Sequence, residues 1–235
     1  MKKELLIVSL VAATSVFALD STTFSLLPVS PFYSTEDGKK LMLVSAPFDG
    51  YGSGEIKVAE VLLTDSLAEG DVMYVPTGTK GQYNQYTLAA DKETWTANKV
   101  VTIDASGAPV VGSSDSATEA TISRGKPFWL KTAASSVKLL GQMPASQAST
   151  SVSTTAGAYT LVAPTTSESP VALTGESAIG KNGDRILFAN GRTLYKYNGA
   201  WVQQKPTRAS LSESETIPAG VGFWYMSADG SSVTL

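Results

Sequence analysis

Thr121-Ile122-Ser123-Arg124-Gly125-Lys126-Pro127-Phe128-Trp129 and Thr216-Ile217-Pro218-Ala219-Gly220-Val221-Gly222-Phe223-Trp224 align without a gap over nine residues. Each block has a short β-branched start, a glycine that permits a tight turn, and an aromatic pair opening a new strand. Side chains alternate across a strand, so the Phe and Trp of each pair point to opposite faces. One of them is expected in a core, and its neighbour outward or in a seam between two halves.

Working outward, more landmarks recur in the same order. Leu43-Val44-Ser45-Ala46-Pro47 is followed by Gly70-Asp71-Val72-Met73-Tyr74, then Tyr83 and Tyr86, then Trp95. Thr160-Leu161-Val162-Ala163-Pro164 is followed by Gly183-Asp184-Arg185-Ile186-Leu187-Phe188, then Tyr195 and Tyr197, then Trp201. The four tryptophans of the chain thus form two matched pairs. Such ordered recurrence is the signature of an internal repeat. Pro47 and Pro164 are 117 positions apart, Trp129 and Trp224 only 95, so the first half carries an insertion, placed at about 97–120. Within it Val100-Val101-Thr102-Ile103 has the composition of a hairpin strand.

Elsewhere, short β-branched or aromatic runs alternate with Gly, Pro, Asn and Asp. Asn190-Gly191, Asn198-Gly199 and Asp229-Gly230 are hairpin dipeptides. Only Val58 to Leu67 has apolar spacing compatible with a short helix. The expected fold is all-β, with two tandem, internally duplicated, small sandwich or barrel-like domains. Their expected limits are 36–143 and 156–235, joined by a Ser/Thr-rich linker at 144–155 whose Thr150 to Thr155 run could also form an edge strand. A 19–35 extension precedes them, and its Thr23 to Val29 run can add a strand to either half.

Residues 1–18 read as a cleaved signal peptide: Lys2 and Lys3, the apolar run Leu5 to Phe17, and Val16-Phe17-Ala18 at the cleavage site. These thirteen residues, ten of them apolar, span about 20 Å as helix, short of a bilayer core of about 30 Å. The expectation is a soluble chain without a transmembrane segment once cleaved, secreted, periplasmic or at the cell surface. A bacterial source fits a secreted chain of this size without cysteine.

Composition narrows the chemistry. The 235 residues are 43% hydrophobic and 17% charged, with net charge −3, no His and no Cys. Histidine-based triads, HExxH zinc sites, thiol nucleophiles and disulfides are excluded, and no basic patch predicts nucleic-acid binding. Ser135-Ser136-Val137-Lys138 matches SxxK, but the order relative to Lys131-Thr132-Ala133 and Ser114-Asp115-Ser116 is wrong for a penicillin-binding enzyme. Asp71 and Asp184 are the acids at matched positions. As a glycosidase pair they would need to lie a few ångströms apart; as turn residues they would cap their own backbone. Asp104, Asp115 and Glu119 lack calcium-loop spacing. No catalytic residue, metal site or cofactor is expected.

The aromatics remain. Flat rings can serve as sugar platforms, although each also buries large area and the core is the first expectation for any single tryptophan; Trp95 and Trp201, beside polar turns, together with Tyr86, Tyr195 and Tyr197, are the candidate ligand-binding residues. The landmark series, ending in Ile217-Pro218-Ala219-Gly220-Val221-Gly222-Phe223-Trp224, resembles uncharacterised exported β-repeat proteins of Gram-negative bacteria, in which G-D-x-I-Y … W … I-P-A-G-x-G-F-W recurs. The first half departs from that pattern at Ser123-Arg124 and Pro127. The resemblance implies an envelope or extracellular address and no catalytic residue. The function expected is a non-catalytic structural or interaction protein. Its partners would be other envelope or extracellular proteins, copies of itself, or glycans; a carbohydrate-binding module is the alternative.

Overall fold

The computed structural model describes residues 21–26, 38–50, 55–77, 79, 82–97, 100–103, 109–112, 116–134, 136–142, 151–164 and 170–235. The expected signal segment, 1–18, lies outside them. The first half contains β1 (Ser21–Leu26), β2 (Lys40–Ser45), β3 (Glu55–Lys57), β4 (Leu62–Leu63), β5 (Val72–Pro76), β6 (Tyr83–Leu88), β7 (Trp95–Ala97), β8 (Val100–Ile103), β9 (Pro109–Gly112), β10 (Thr121–Ser123), β11 (Pro127–Thr132) and β12 (Val137–Gln142). The second contains β13 (Ser151–Val152), β14 (Tyr159–Val162), β15 (Val171–Ala172), β16 (Arg185–Phe188), β17 (Thr193–Tyr197), β18 (Ala200–Lys205), β19 (Ala209–Ser210), β20 (Thr216–Ile217), β21 (Phe223–Met226) and β22 (Val233–Thr234).

The protein is all-β, with several antiparallel sheets. The larger sheet of the first half runs β2-β11-β5-β6-β8-β9, with β7 also on β6; that of the second runs β14-β21-β16-β17-β18-β19. Smaller sheets, β3 with β10 and β1-β12-β4 in the first half, β15 with β20 and β13 with β22 in the second, complete each half. Alternation explains the cores: Met42, Val44, Met73, Val75, Phe128 and Leu130 of the larger sheet pack with Ile56, Leu62, Ile122, Val137 and Leu139 of the smaller ones. A second cluster joins Val162, Ile186, Leu194, Phe223 and Tyr225 to Val171, Ile217 and Val233. The hairpin expected in the insertion is present as β8 and β9, paired from Val100↔Gly112 to Ile103↔Pro109.

Of three local expectations, one needs correction. Val58 to Leu67 is not a helix: it contains β4 and a single 3-10 turn at Thr64–Ser66. Its apolar residues are buried because the segment pairs with β12 and lies over the core, a tertiary contact that outweighs helical spacing. At 144–155, residues 144–150 lie outside the described residues, and Ser151↔Thr234 with Val152↔Val233 forms the edge strand that the Thr150 to Thr155 run could supply; Val152 is partly buried there. The strand expected near Thr23 does form, as β1, and it pairs with β12 of the first half from Ser21↔Gln142 to Leu26↔Val137.

The halves meet where Val44 bridges Val221. Ser45 N donates to Gly220 O at 2.9 Å and Gly222 N to Leu43 O at 3.5 Å. Phe128 and Phe223 are fully buried in their own cores. Trp129 and Trp224, on the opposite strand faces, meet across the seam with ring centroids 5.6 Å apart and planes tilted by 46°. Gly222 permits this approach, because a Cβ there would lie 2.8 Å from Leu43 Cγ and 2.9 Å from Pro127 Cβ. Gly222→Ala is therefore expected to cost about 1–3 kcal/mol through overpacking. Urea denaturation of variant and wild type checks this, and an unchanged midpoint would show that the seam yields freely.

Candidate functional site

The matched acids sit at equivalent places. Asp71 immediately precedes β5 and Asp184 precedes β16 by the same step; both are buried. Ala68 N donates to Asp71 Oδ2 at 3.0 Å and Lys181 N to Asp184 Oδ2 at 2.7 Å, each bond closing a turn from three residues upstream. The backbone repeats the pattern. Leu88 N donates to Asp71 O and Gly70 N to Leu88 O, just as Lys196 N donates to Asp184 O and Gly183 N to Lys196 O. The remaining partners differ. Asp71 accepts from Thr132 Oγ1 at 2.6 Å and lies 2.9 Å from Lys39 Nζ. Asp184 accepts from Ala228 N at 2.8 Å and from the Tyr225 hydroxyl. Both carboxylates are thus committed to turn and strand.

Around Asp184 the second half has built a larger polar cluster. Lys196 Nζ donates to Ile179 O at 2.6 Å and Ala178 O at 3.3 Å, and it stands 5.7 Å from the centroid of the Trp201 ring. Trp201 Nε1 donates to the same Ile179 carbonyl at 2.9 Å. Burial draws the Lys196 pKa below its ordinary value, and the Asp184 charge opposes the shift. Burial, followed by the hydrogen bond to Asp184, pushes the Tyr225 phenol well above its ordinary value. Gly180 (φ +81°) covers the cluster so closely that a Cβ would lie 2.9 Å from Trp201 Cζ2 and 3.0 Å from the Tyr225 hydroxyl.

The sequence-predicted aromatics separate into two groups. Trp95, Trp201 and Tyr86 are 4%, 2% and 0% exposed and belong to the cores. Their rings present no stacking face, which corrects the expectation for these three. The cause is pairing: Trp95 opposes Leu88, Trp201 opposes Lys196 and Tyr86 opposes Met73, all turned inward. Tyr195 and Tyr197 do reach the surface, Tyr197 being 56% exposed. With Val202, Gln204 and Arg208 they line a depression of about 430 Å³. The Arg185 guanidinium lies 5.6 Å from the Tyr195 ring centroid.

Sequence reasoning did not single out a cleft of about 540 Å³ lined by Val171, Ser177, Ile179, Lys181, Tyr225 and Thr234, among others. Its nearest sequence signal is a shortened connection between Leu173 and Asp184. Of the loose calcium set, Asp104 and Asp115 lie outside the described residues, as does Ser135 of the SxxK match; Lys138 Nζ bonds Asp65 Oδ2 at 2.8 Å. Among the described residues no group of three or more acids is placed to hold a metal, and no helix is long and apolar enough to cross a membrane.

Tyr225 gives a direct test of the cluster. Its folded-state pKa is raised, so its contribution to stability is complete below the unfolded value of about 10 and is lost as pH climbs above it. Subtracting the ultraviolet titration of Tyr225→Phe from that of wild type should show no tyrosinate from this position before alkaline unfolding. A difference midpoint near an ordinary phenol would place the hydroxyl in solvent. No protein-family model, curated protein or solved structure matches the chain.

Proposed function

We propose that this chain is an exported, non-catalytic structural or interaction protein of the bacterial envelope or exterior, built from two related β modules. The observation that carries the reading is the use of the matched residues. Asp71 and Asp184 close equivalent turns, Trp95 and Trp201 fill equivalent core positions, and Ile122 and Ile217 pair with Ile56 and Val171 seven residues before their respective tryptophans. What the halves share is thus a scaffold, and the family resemblance of the landmark series points the same way. The signal-like segment at 1–18 supports export. Ladders ending at β9, β14 and β19 among the described residues offer backbone edges for strand addition.

Light scattering of residues 19–235 over a concentration series tests the reading. The expected result is a mass that grows with concentration or with an added envelope fraction; a constant single-chain mass under both conditions would count against it.

A second reading, glycan binding, is favoured by one observation: Tyr197 and Tyr195 share a surface depression with Gln204 and Arg208. Sugar rings stack on such faces while amide and guanidinium groups bond hydroxyls. Here Tyr197→Ala should weaken retention on a glycan matrix roughly tenfold, about 1.4 kcal/mol, with the thermal midpoint unchanged. Equal retention would remove the tyrosine platform.

A further inference from the structure

The halves differ beside their last strands. In the first, the chain leaving β3 runs along β12: Leu140 N donates to Val61 O at 3.0 Å, and β4 pairs Leu63 with Lys138 and Leu62 with Leu139. Leu62 and Leu139 lie opposite each other, both buried. β12 therefore has β1 on one side and β4 on the other. In the second half β22 has β13 on the side corresponding to β1, with Val152 opposite Val233 as Leu26 is opposite Val137.

On the other side the connection is shorter. Eleven positions separate Leu173 from Asp184, where thirteen separate Val58 from Asp71. The shorter chain turns back on itself instead of reaching β22: Ala178 N donates to Gly175 O at 3.2 Å and Ile179 N to Ala172 O at 3.0 Å. No strand among the described residues occupies the place of β4, and the 540 Å³ cleft opens there, between Ser177–Lys181 and Ser231–Leu235.

We propose that this cleft is the slot for an extended segment of a partner polypeptide, which lies antiparallel to β22, sets an aliphatic side chain against Leu235 and brings an acidic residue to Lys181. The first half supplies the precedent for the occupant, since Leu62 fills the corresponding place against Leu139. In β12 the backbone of Leu140, and by alternation that of Lys138, faces β4; the position matching Lys138 on β22 is Thr234, which is exposed. Charge supplies the rest. The leucine pair of β4 is flanked by Glu60 and Asp65, and Lys181 lines the cleft with an exposed side chain that makes a surface bridge to Asp229 at 3.1 Å. Such bridges exchange readily for a competing carboxylate. This is strand addition to an edge that no strand among the described residues occupies, with backbone bonds giving affinity and the aliphatic pocket selectivity.

The inference rests on the interaction reading above and names its site. The probe is a labelled peptide with the sequence of residues 59–65, Ala-Glu-Val-Leu-Leu-Thr-Asp, titrated into the full chain by fluorescence anisotropy. Saturable binding is expected, weakened at least tenfold when both leucines of the peptide are aspartate. Thr234→Pro, which removes the slot-facing N–H, should weaken it at least tenfold. Lys181→Glu, an exposed change that spares the fold, should weaken it at least threefold and reduce its salt dependence. Circular dichroism of each variant separates loss of the slot from loss of the fold, and the Lys181→Glu result decides if Thr234→Pro does not fold. No saturable binding, or binding indifferent to the peptide leucines, overturns the slot. A chain that self-associates yet ignores the peptide overturns the slot while leaving the interaction reading intact. Self-association abolished by Thr234→Pro without peptide binding reassigns the edge to a second copy and likewise overturns the partner proposal.

Discussion

A buried carboxylate at the head of a central strand is the constraint on which each half depends. Removing such a charge from water costs several kcal/mol unless its oxygens are bonded. Asp71 and Asp184 meet that demand with one bond to the turn behind them and others to the end of the neighbouring strand. A slip of one residue would strand the carboxylate and reverse every side chain on β5 or β16. The clamp therefore fixes register as well as turn geometry. Val72 opposes Lys131 in one half and Arg185 opposes Met226 in the other, each opposing residue two positions after the tryptophan that follows the inward-facing phenylalanine. The halves satisfy the clamp differently: Thr132 and Lys39 in the first, Tyr225 and the Ala228 amide in the second.

From that register the seam follows. With Phe128 and Phe223 turned into the cores, alternation places Trp129 and Trp224 on the opposite faces, where Leu43 and Tyr74 flank one and Leu161 and Leu187 the other. Two half-buried indoles meeting at 5.6 Å bury area that neither sheet could cover alone. The backbone bonds to Gly220 and from Gly222 then bring the halves to strand-like separation.

The all-β class was legible because alternation and turn dipeptides are local signals. The clamp was legible in part, as Gly-Asp before a strand; its partners Thr132 and Tyr225 were not, because cross-strand contacts leave no mark in one sequence. The proline alignment also misleads by one residue. Trp129 opposes Leu43 and Trp224 opposes Leu161, so Leu43 corresponds to Leu161 rather than to Thr160, and the chain after β14 reaches its proline one residue sooner. Likewise Tyr86 corresponds to Leu194, opposite Met73 and Ile186, rather than to a tyrosine. Trp201 looked exposed beside Asn198-Gly199, yet the segment at 178–180 folds over it and takes its N–H. That cover is set by tertiary packing, which spacing in sequence does not encode.

Similarity between the halves locates the scaffold, so function is better sought where they diverge. A residue present in both at the same strand position is explained by the clamp, the core or the seam. Tyr225 and Lys196 have no such explanation, since the matching places in the first half hold Leu130 and Leu88, both buried and apolar. Replacing two core aliphatics by a phenol and an ammonium is costly unless each finds partners, and here the partners are Asp184 and the carbonyls of Ala178 and Ile179. Those bonds draw the shortened connection toward the Asp184 turn and away from β22. The polar cluster, together with the backbone bonds of Ala178 and Ile179 to the chain just before them, holds the 178–180 segment beside the Asp184 turn, across the cleft from β22.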